Sequence, residues 1–315
     1  MKVLVSGVAS NIGFDIGRIL KKWNFFEKLY GIDISEDHPG SFIFDELNVS
    51  PPANALNYLP WLKDYILNNK IDLLVPTSEA EILTISEDLS AIESVCNVLI
   101  NDSVLIKNSL DKHKTLKFLQ NSGIKVPNHG IVGVGSKPIQ YPVIVKPQRG
   151  QGRKGLRKIS AESELLEITE GYVWQEYLEP DDEEYTCAVY VSNELKRRIL
   201  LLKRVLVGGS TGKAIVVKNL EIENYIEQII SAWNVPGLYN IQLRLTKDGP
   251  RLFEINPRVS STIVFRDMLG FEDLKWWVLE KLGMELPDYE EVCEGTKIYR
   301  GSSEYIINAR EEFGL

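Results

Sequence analysis

The chain has 315 residues, 44% hydrophobic and 25% charged, which is close to the globular average and enough to bury a sizeable core; at about 100–200 residues per domain it holds two or three domains. Lysine and arginine total 36 against 44 acidic residues, a net charge of −8 that counts against a non-specific nucleic-acid binder. Scattered cysteines (Cys96, Cys187, Cys293) without a CxxC, and scattered histidines (His38, His113, His129), exclude a disulfide framework, a thiolate zinc site and a histidine metal centre. No apolar run reaches the about 18 residues of a membrane span. Met1–Ser6 reads as a strand entering a glycine turn and not as a signal peptide. The expectation is a cytoplasmic protein with neither membrane nor nucleic-acid partners.

In chain order, Val3–Val5 is an apolar strand and Asn11–Lys22 a helix, with Ile12, Ile16, Ile19 and Leu20 at helical spacing. Leu29–Asp33 is a second strand and Pro60–Asn69 a second helix. Ile71–Val75 ends at Pro76, and Val98–Ile100 ends at Asn101-Asp102. Strands separated by helices predict a parallel sheet with crossover helices. Asp111 caps a helix to Asn121, stopped by Gly123 and Pro127. Beyond residue 142 the strands turn antiparallel in character. Pro142–Lys146 enters a glycine-rich loop and Gly155–Ile159 returns. Tyr185–Val191 and Arg197–Val207 form a hairpin around Ser192-Asn193. Leu220–Trp233 is helical, and Gly237–Leu245 pairs with Arg251–Ile255 across Lys247–Pro250. Leu269–Trp277 packs the C-terminal part, with Trp276 and Trp277 in its core. No repeat or low-complexity stretch interrupts this order of an α/β domain over residues 1–108 and an α+β domain over residues 109–315.

Two glycine-rich stretches invite a nucleotide reading. Gly7-Val-Ala-Ser-Asn-Ile-Gly13 follows a strand and opens a helix, and Asp33 ends the next strand, as in a dinucleotide fingerprint. Ser10 replaces the middle glycine. None of the 13 tyrosines has a lysine four residues later, so the proton-transfer pair of short-chain reductases is missing. A tight strand-to-helix turn is the plainer reading, with ligand binding there left open. Gly208-Gly-Ser-Thr-Gly-Lys213 has the wrong glycine spacing for a Walker motif, and Ala214 stands where Ser or Thr is needed.

The chemistry concentrates in the second half. Lys146 ends a strand before Gly150, Gly152 and Gly155, whose backbone N–H groups can fold over phosphate while Arg149, Arg153 and Lys154 add charge. Val173–Leu178 is a short strand carrying Glu176, and Glu184 follows. In Leu252-Phe-Glu-Ile-Asn-Pro-Arg258, residues two apart share a face, so Glu254 and Asn256 project together and Phe253 and Ile255 point to a core. Hard oxygen donors side by side suit Mg²⁺, and Gln242 on the preceding strand offers a third. Pro257 stops the strand and presents Arg258, where it can stabilise charge on a transferring phosphoryl group. Thr77-Ser-Glu79 and Glu81 lie just past a strand end where open parallel sheets bind ligands, or else form a capped helix start.

Asp111-Lys112, Lys146 before its glycine loop, Gln175-Glu176-Tyr177-Leu178, Glu184, Gln242 and Glu254-Ile-Asn256-Pro-Arg258, taken in this order, resemble the ATP-grasp superfamily. They are most like one ATP-grasp unit of the carbamoyl phosphate synthetase large subunit, and similar to biotin carboxylase and D-alanine–D-alanine ligase. The resemblance implies a Rossmann-like pre-ATP-grasp domain at 1–108 and an ATP-grasp domain at 109–315. The latter divides into a glycine-rich lid subdomain (about 112–175) and a catalytic subdomain (about 176–315). It implies that Lys112, Lys146, Arg149, Gly150 and Gly152 serve ATP phosphates, with Lys146 also near adenine. Glu176, Tyr177 and Leu178 would hold adenine and Glu184 ribose. Gln242, Glu254 and Asn256 would bind two Mg²⁺, and Arg258 with Lys146 would act in phosphoryl transfer.

A single unit, with Ser210 near the place of the synthetase's catalytic histidine, looks more like a carboxylate–amine ligase. ATP would phosphorylate a small carboxylic acid, and an amine would displace phosphate. Arg258, and after it Arg204, Lys213 and Arg266, are candidates for the acid's carboxylate, and Glu79 or Glu81 for the amine. Synthetase-like phosphorylation or carboxylation and a non-catalytic ATP sensor are the alternatives. Related folds commonly form homodimers, though no stretch here marks an interface.

Overall fold

The structure is a computed structural model that describes residues 1–135, 137–150 and 155–301. It begins with β1 (Lys2–Ser6), α1 (Asn11–Trp23), β2 (Lys28–Asp33), β3 (Glu46–Val49), α2 (Tyr58–Asn69), β4 (Leu73–Val75), α3 (Glu79–Glu87), α4 (Leu89–Glu93) and β5 (Asn97–Val98). The strands form a parallel sheet in the order β3-β2-β1-β4-β5. Ser10 caps α1 by accepting from Gly13 N, and Asn24 ends it in the left-handed region at φ 54°. Leu4, Tyr30 and Ile32 pack one sheet face against Tyr58, Leu62 and Ile66 of α2. β3 is a largely exposed edge strand of four residues, too short for its polar–apolar alternation to stand out in the sequence.

The chain continues through α5 (Ser103–Ser109), α6 (Lys112–Asn121), β6 (His129–Ile131), β7 (Val143–Pro147), β8 (Arg157–Ile159), α7 (Glu162–Leu166) and β9 (Tyr172–Glu176). These four strands make an antiparallel sheet ordered β6-β9-β7-β8. The Asp111 carboxylate caps α6 by accepting from Lys114 N at 3.0 Å, as the sequence predicts.

Last come β10 (Glu184–Val191), β11 (Arg197–Val207), β12 (Ser210–Val216), α8 (Leu220–Trp233), β13 (Gly237–Thr246), β14 (Gly249–Asn256), α9 (Ile263–Met268), α10 (Asp273–Lys281) and β15 (Lys297–Tyr299). They build a six-stranded antiparallel sheet, β14-β13-β10-β11-β12-β15. The Gly208-Gly209 pair, both at positive φ (57° and 83°), is the turn of the β11–β12 hairpin. Two successive positive φ values match the twist of such a hairpin and favour glycine. The phosphate-loop look of this stretch is therefore turn chemistry.

α8 lays Ile222, Ile226, Ile229 and Ile230 on one face of the large sheet against Val189, Ile241 and Leu243. The sheet's other face shares a core with the parallel sheet and α1. Val3, Val5, Ile16 and Leu20 cluster with Leu200, Val216, Val259, Trp276 and Trp277. Asn101 ties the two parts further, its side-chain amide donating to Leu238 O at 2.7 Å and accepting from Leu238 N at 3.0 Å. That amide imitates one rung of a sheet at the head of β13. Among the described residues no helix is long and apolar enough to cross a membrane.

Candidate functional site

The four-stranded and six-stranded sheets both line one cavity of about 1010 Å³. Period-two alternation on the large sheet puts its polar side chains there. Thr186 of β10 stands opposite Gln242 of β13, which stands opposite Glu254 of β14, and Asn240 stands opposite Asn256. Glu184 stands opposite Arg244. All seven line the cavity.

The β13–β14 register shifts here. Gln242 pairs with Glu254 and Leu243 with Leu252, leaving Phe253 as the extra residue of a β-bulge. Phe253 is half-buried and lines the cavity, where strict alternation predicts a core position. The bulge also re-aims its carbonyl, which accepts from Lys146 Nζ at 2.8 Å. Lys146 is only 8% exposed. Burial pushes its ammonium down to about 8, Glu254 pulls it back up, and Lys112 adds a smaller downward push.

Lys112, at the start of α6, donates from Nζ to Gly150 O at 2.6 Å, so the two basic side chains reach the cavity from different elements. Gln148 anchors this corner, its carbonyl accepting from Lys112 N and its Nε2 donating to Asp111 Oδ2 at 2.8 Å.

Glu176, Tyr177 and Leu178 also line the cavity. Glu176 Oε2 accepts from Asn128 N at 3.0 Å and Nδ2 at 3.2 Å. Tyr177 donates to Asp181 at 2.7 Å, and Lys158 Nζ sits 3.6 Å from its ring centroid. Glu184 is clamped between two guanidiniums, each Nη2 at 2.9 Å: Arg204 on Oε1 and Arg244 on Oε2. Arg258 Nη2 pairs with Glu79 Oε1 at 3.0 Å and lies 3.3 Å from Asn256 Oδ1, while Nη1 donates to Val259 O.

Other sequence candidates lie elsewhere. Arg149 is exposed and outside the cavity lining, as is Lys213. Gly152, Arg153 and Lys154 lie outside the described residues. Arg266 is fully buried against Asp273 at 2.8 Å and supports the Ser260 and Thr262 hydroxyls, so it reaches no carboxylate of a ligand. Glu81 is buried, accepting from Tyr58 at 2.8 Å and Ser78 at 2.6 Å, and burial pushes its carboxyl up. Ser78 caps α3, the plainer of the two sequence readings. At the first glycine turn, the Asp33 oxygens accept from Ala9 N and Ser35 N, and a Cβ on Gly13 would sit 2.4 Å from Gly7 O. Asp33 therefore holds the loop, and Ile12 reaches the large cavity.

Thr186, Asn240 and Arg244 line the cavity without belonging to any sequence motif. Their signal is alternation, since Asn240, Gln242 and Arg244 share one strand face. Asn240 Nδ2 and Gln175 Oε1 are buried cavity-lining atoms without a hydrogen-bond partner among the described residues, which fits a polar ligand. Those residues hold no cluster of three His, Cys, Asp or Glu. One carboxylate with two amide oxygens still suits Mg²⁺, which takes few protein donors and completes its shell with phosphates and water.

Residues 109–262 match the family described as the ATP-grasp domain. Over 129 residues the chain is 28% identical to the Coenzyme gamma-F420-2:alpha-L-glutamate ligase of Methanococcus maripaludis, covering 38% of this chain and 44% of that one, less than half the relative's length. The N5-carboxyaminoimidazole synthetase of Staphylococcus aureus, complexed with ADP, is similar with a TM-score of 0.72 and 19% identity, over 92% of this chain and 79% of that one. The L-amino acid ligase of Bacillus licheniformis gives 0.71 and 16%, over 89% and 74%. The biotin carboxylase domain of Hydrogenobacter thermophilus 2-oxoglutarate carboxylase gives 0.73 and 16%, over 94% and 73%. At these identities the structural likeness is one of fold.

Proposed function

We propose that this chain, whose residues 109–262 are an ATP-grasp domain, is an ATP-dependent ligase. It activates a small carboxylic acid as an acyl phosphate and joins it to an amine, releasing ADP and phosphate. The observation that carries this reading is the convergence of Lys112, Lys146, Gln242, Glu254, Asn256 and Arg258 on one cavity shared by two antiparallel sheets. In this reading residues 1–108 are the Rossmann-like domain ahead of the grasp. Residues 109–315 hold the grasp, with the glycine-rich loop at its lid.

Lys112 and Lys146 neutralise the triphosphate, so a carboxylate that like charge would otherwise repel can approach the γ-phosphorus. Glu176 and the Tyr177-Leu178 backbone receive the adenine. Glu184 keeps lone pairs after its two arginines and accepts from ribose hydroxyls. Glu254 and Asn256, with Gln242 beside them, would hold magnesium, which supplies charge neutralisation at the phosphates. Arg258, steadied by Glu79, stabilises charge at the phosphoryl group in flight. A carboxylate oxygen bonds to the γ-phosphorus as the bond to ADP breaks. The amine then bonds to the acyl carbon, phosphate departs with the shared oxygen, and the amine gives up a proton. No side-chain nucleophile takes part; positioning and electrostatics supply the rate.

The test is Mg·ATP-dependent ADP release with pooled carboxylic acids, and hydroxylamine as the trapping amine. A hydroxamate that forms with one pool and disappears in Glu254→Ala is expected. ADP release without hydroxamate from any pool that stimulates it would contradict acid activation.

A further inference from the structure

We propose that Arg204 fills a cation position beside Gln242, so that the site takes one divalent ion with its nucleotide and not the two that the family resemblance implies. This rests on the ATP-dependent reading above.

Arg204 Nη2 donates to Gln242 Oε1 at 2.7 Å, the same oxygen expected to bind metal. The guanidinium is held there. Its Nε and Nη2 both donate to Glu184 Oε1, at 3.1 and 2.9 Å, and the two side chains are 8% and 11% exposed. The other Glu184 oxygen belongs to Arg244, whose second carboxylate, Asp181, is 70% exposed and screened by water. One buried carboxylate thus anchors two buried guanidiniums, and Arg204 is held with its charge against Gln242. A divalent ion on that oxygen would have to displace a cation held in place by three donated hydrogen bonds.

The other side of the donor set differs. The Glu254 carboxylate accepts no hydrogen bond among the described residues, and it faces Gln242 across the strand pair. Asn256 Oδ1 is shared only loosely, at 3.3 Å, with Arg258. One carboxylate and one amide oxygen match the few protein donors that Mg²⁺ uses beside phosphates. Arg204 meanwhile brings positive charge to the nucleotide without an ion's demand for an octahedral shell.

Equilibrium dialysis with Mn²⁺ and ADP, with manganese and nucleotide both counted on the protein, tests this. About one manganese per bound nucleotide is expected. The double variant Arg204→Met with Gln242→Glu, which removes the guanidinium and adds a carboxylate, is expected to raise the ratio to about two. A ratio near two in the unaltered protein overturns the proposal and leaves the nucleotide site standing. A folded double variant that binds nucleotide and keeps a ratio near one also overturns it. No nucleotide binding at all overturns the ligase reading and this inference with it. The unaltered protein decides the matter even if the variant fails to fold.

Discussion

Lys146→Ala lowers ADP release by about 10²–10³-fold, the scale of removing one pre-organised charge-stabilising donor from a buried site. The ammonium is 8% exposed and fixed by the Phe253 carbonyl at 2.8 Å, so its position needs no rearrangement when phosphate arrives. Burial holds it down to about 8, which gives the effect a pH signature. Between about 8 and the usual lysine value of 10.5 the folded protein binds fewer protons than the unfolded chain, so this group's contribution to stability rises with pH across that window. Nucleotide binding runs the other way. Phosphate favours the ammonium, so above about 8 binding must take up a proton, and affinity falls by up to about tenfold per pH unit. Titrations with ADP on both sides of that value, in the unaltered protein and in Lys146→Ala, check both statements. A variant with the same turnover and the same pH slope would show that Lys146 does not meet phosphate.

Asp273→Ala costs about 3–5 kcal/mol of stability, the range for stranding one member of a buried ion pair. Asp273 and Arg266 are both fully buried and 2.8 Å apart. Arg266 Nη1 also donates to the Ser260 and Thr262 hydroxyls at 2.8 and 2.7 Å, and both residues line the cavity. Loss of Asp273 would therefore leave a charged guanidinium in a dry core and loosen the cavity wall beyond Arg258. Denaturant unfolding measures the cost. Replacing both residues by apolar side chains of similar volume is expected to recover most of it; an Asp273→Ala protein within about 1 kcal/mol of the original would mean water reaches the pair.

Much of this arrangement is written locally and could be read. Ser10 and Asp111 mark helix starts, Asn219–Trp233 carries its cap and apolar face together, and Glu254 to Arg258 is ordered by strand geometry alone. The unread parts depend on distance or on packing. Glu184 meets Arg204 and Arg244 from 20 and 60 residues away, and Arg258 meets Glu79 across 179. Period and spacing say that these charges exist, but not that they neutralise one another. Arg266 is a further case: the sequence offers it as a partner for a substrate carboxylate, and only the fold buries it against Asp273. The bulge at Phe253 was hidden because Leu-Phe-Glu-Ile-Asn alternates without a break, and the extra residue shows only in the partner strand's register. β12 was masked by its glycines, which belong to the turn before it and to one strand position.

Carboxylate activation is tested most directly by following the oxygen. With ¹⁸O in the carboxyl groups of the acid that stimulates ADP release, transfer through an acyl phosphate places label in the released phosphate, one labelled phosphate for each ADP. Phosphate free of label, formed at the rate of ADP, would mean that water and not the acid takes the γ-phosphoryl group, and would contradict the ligase mechanism.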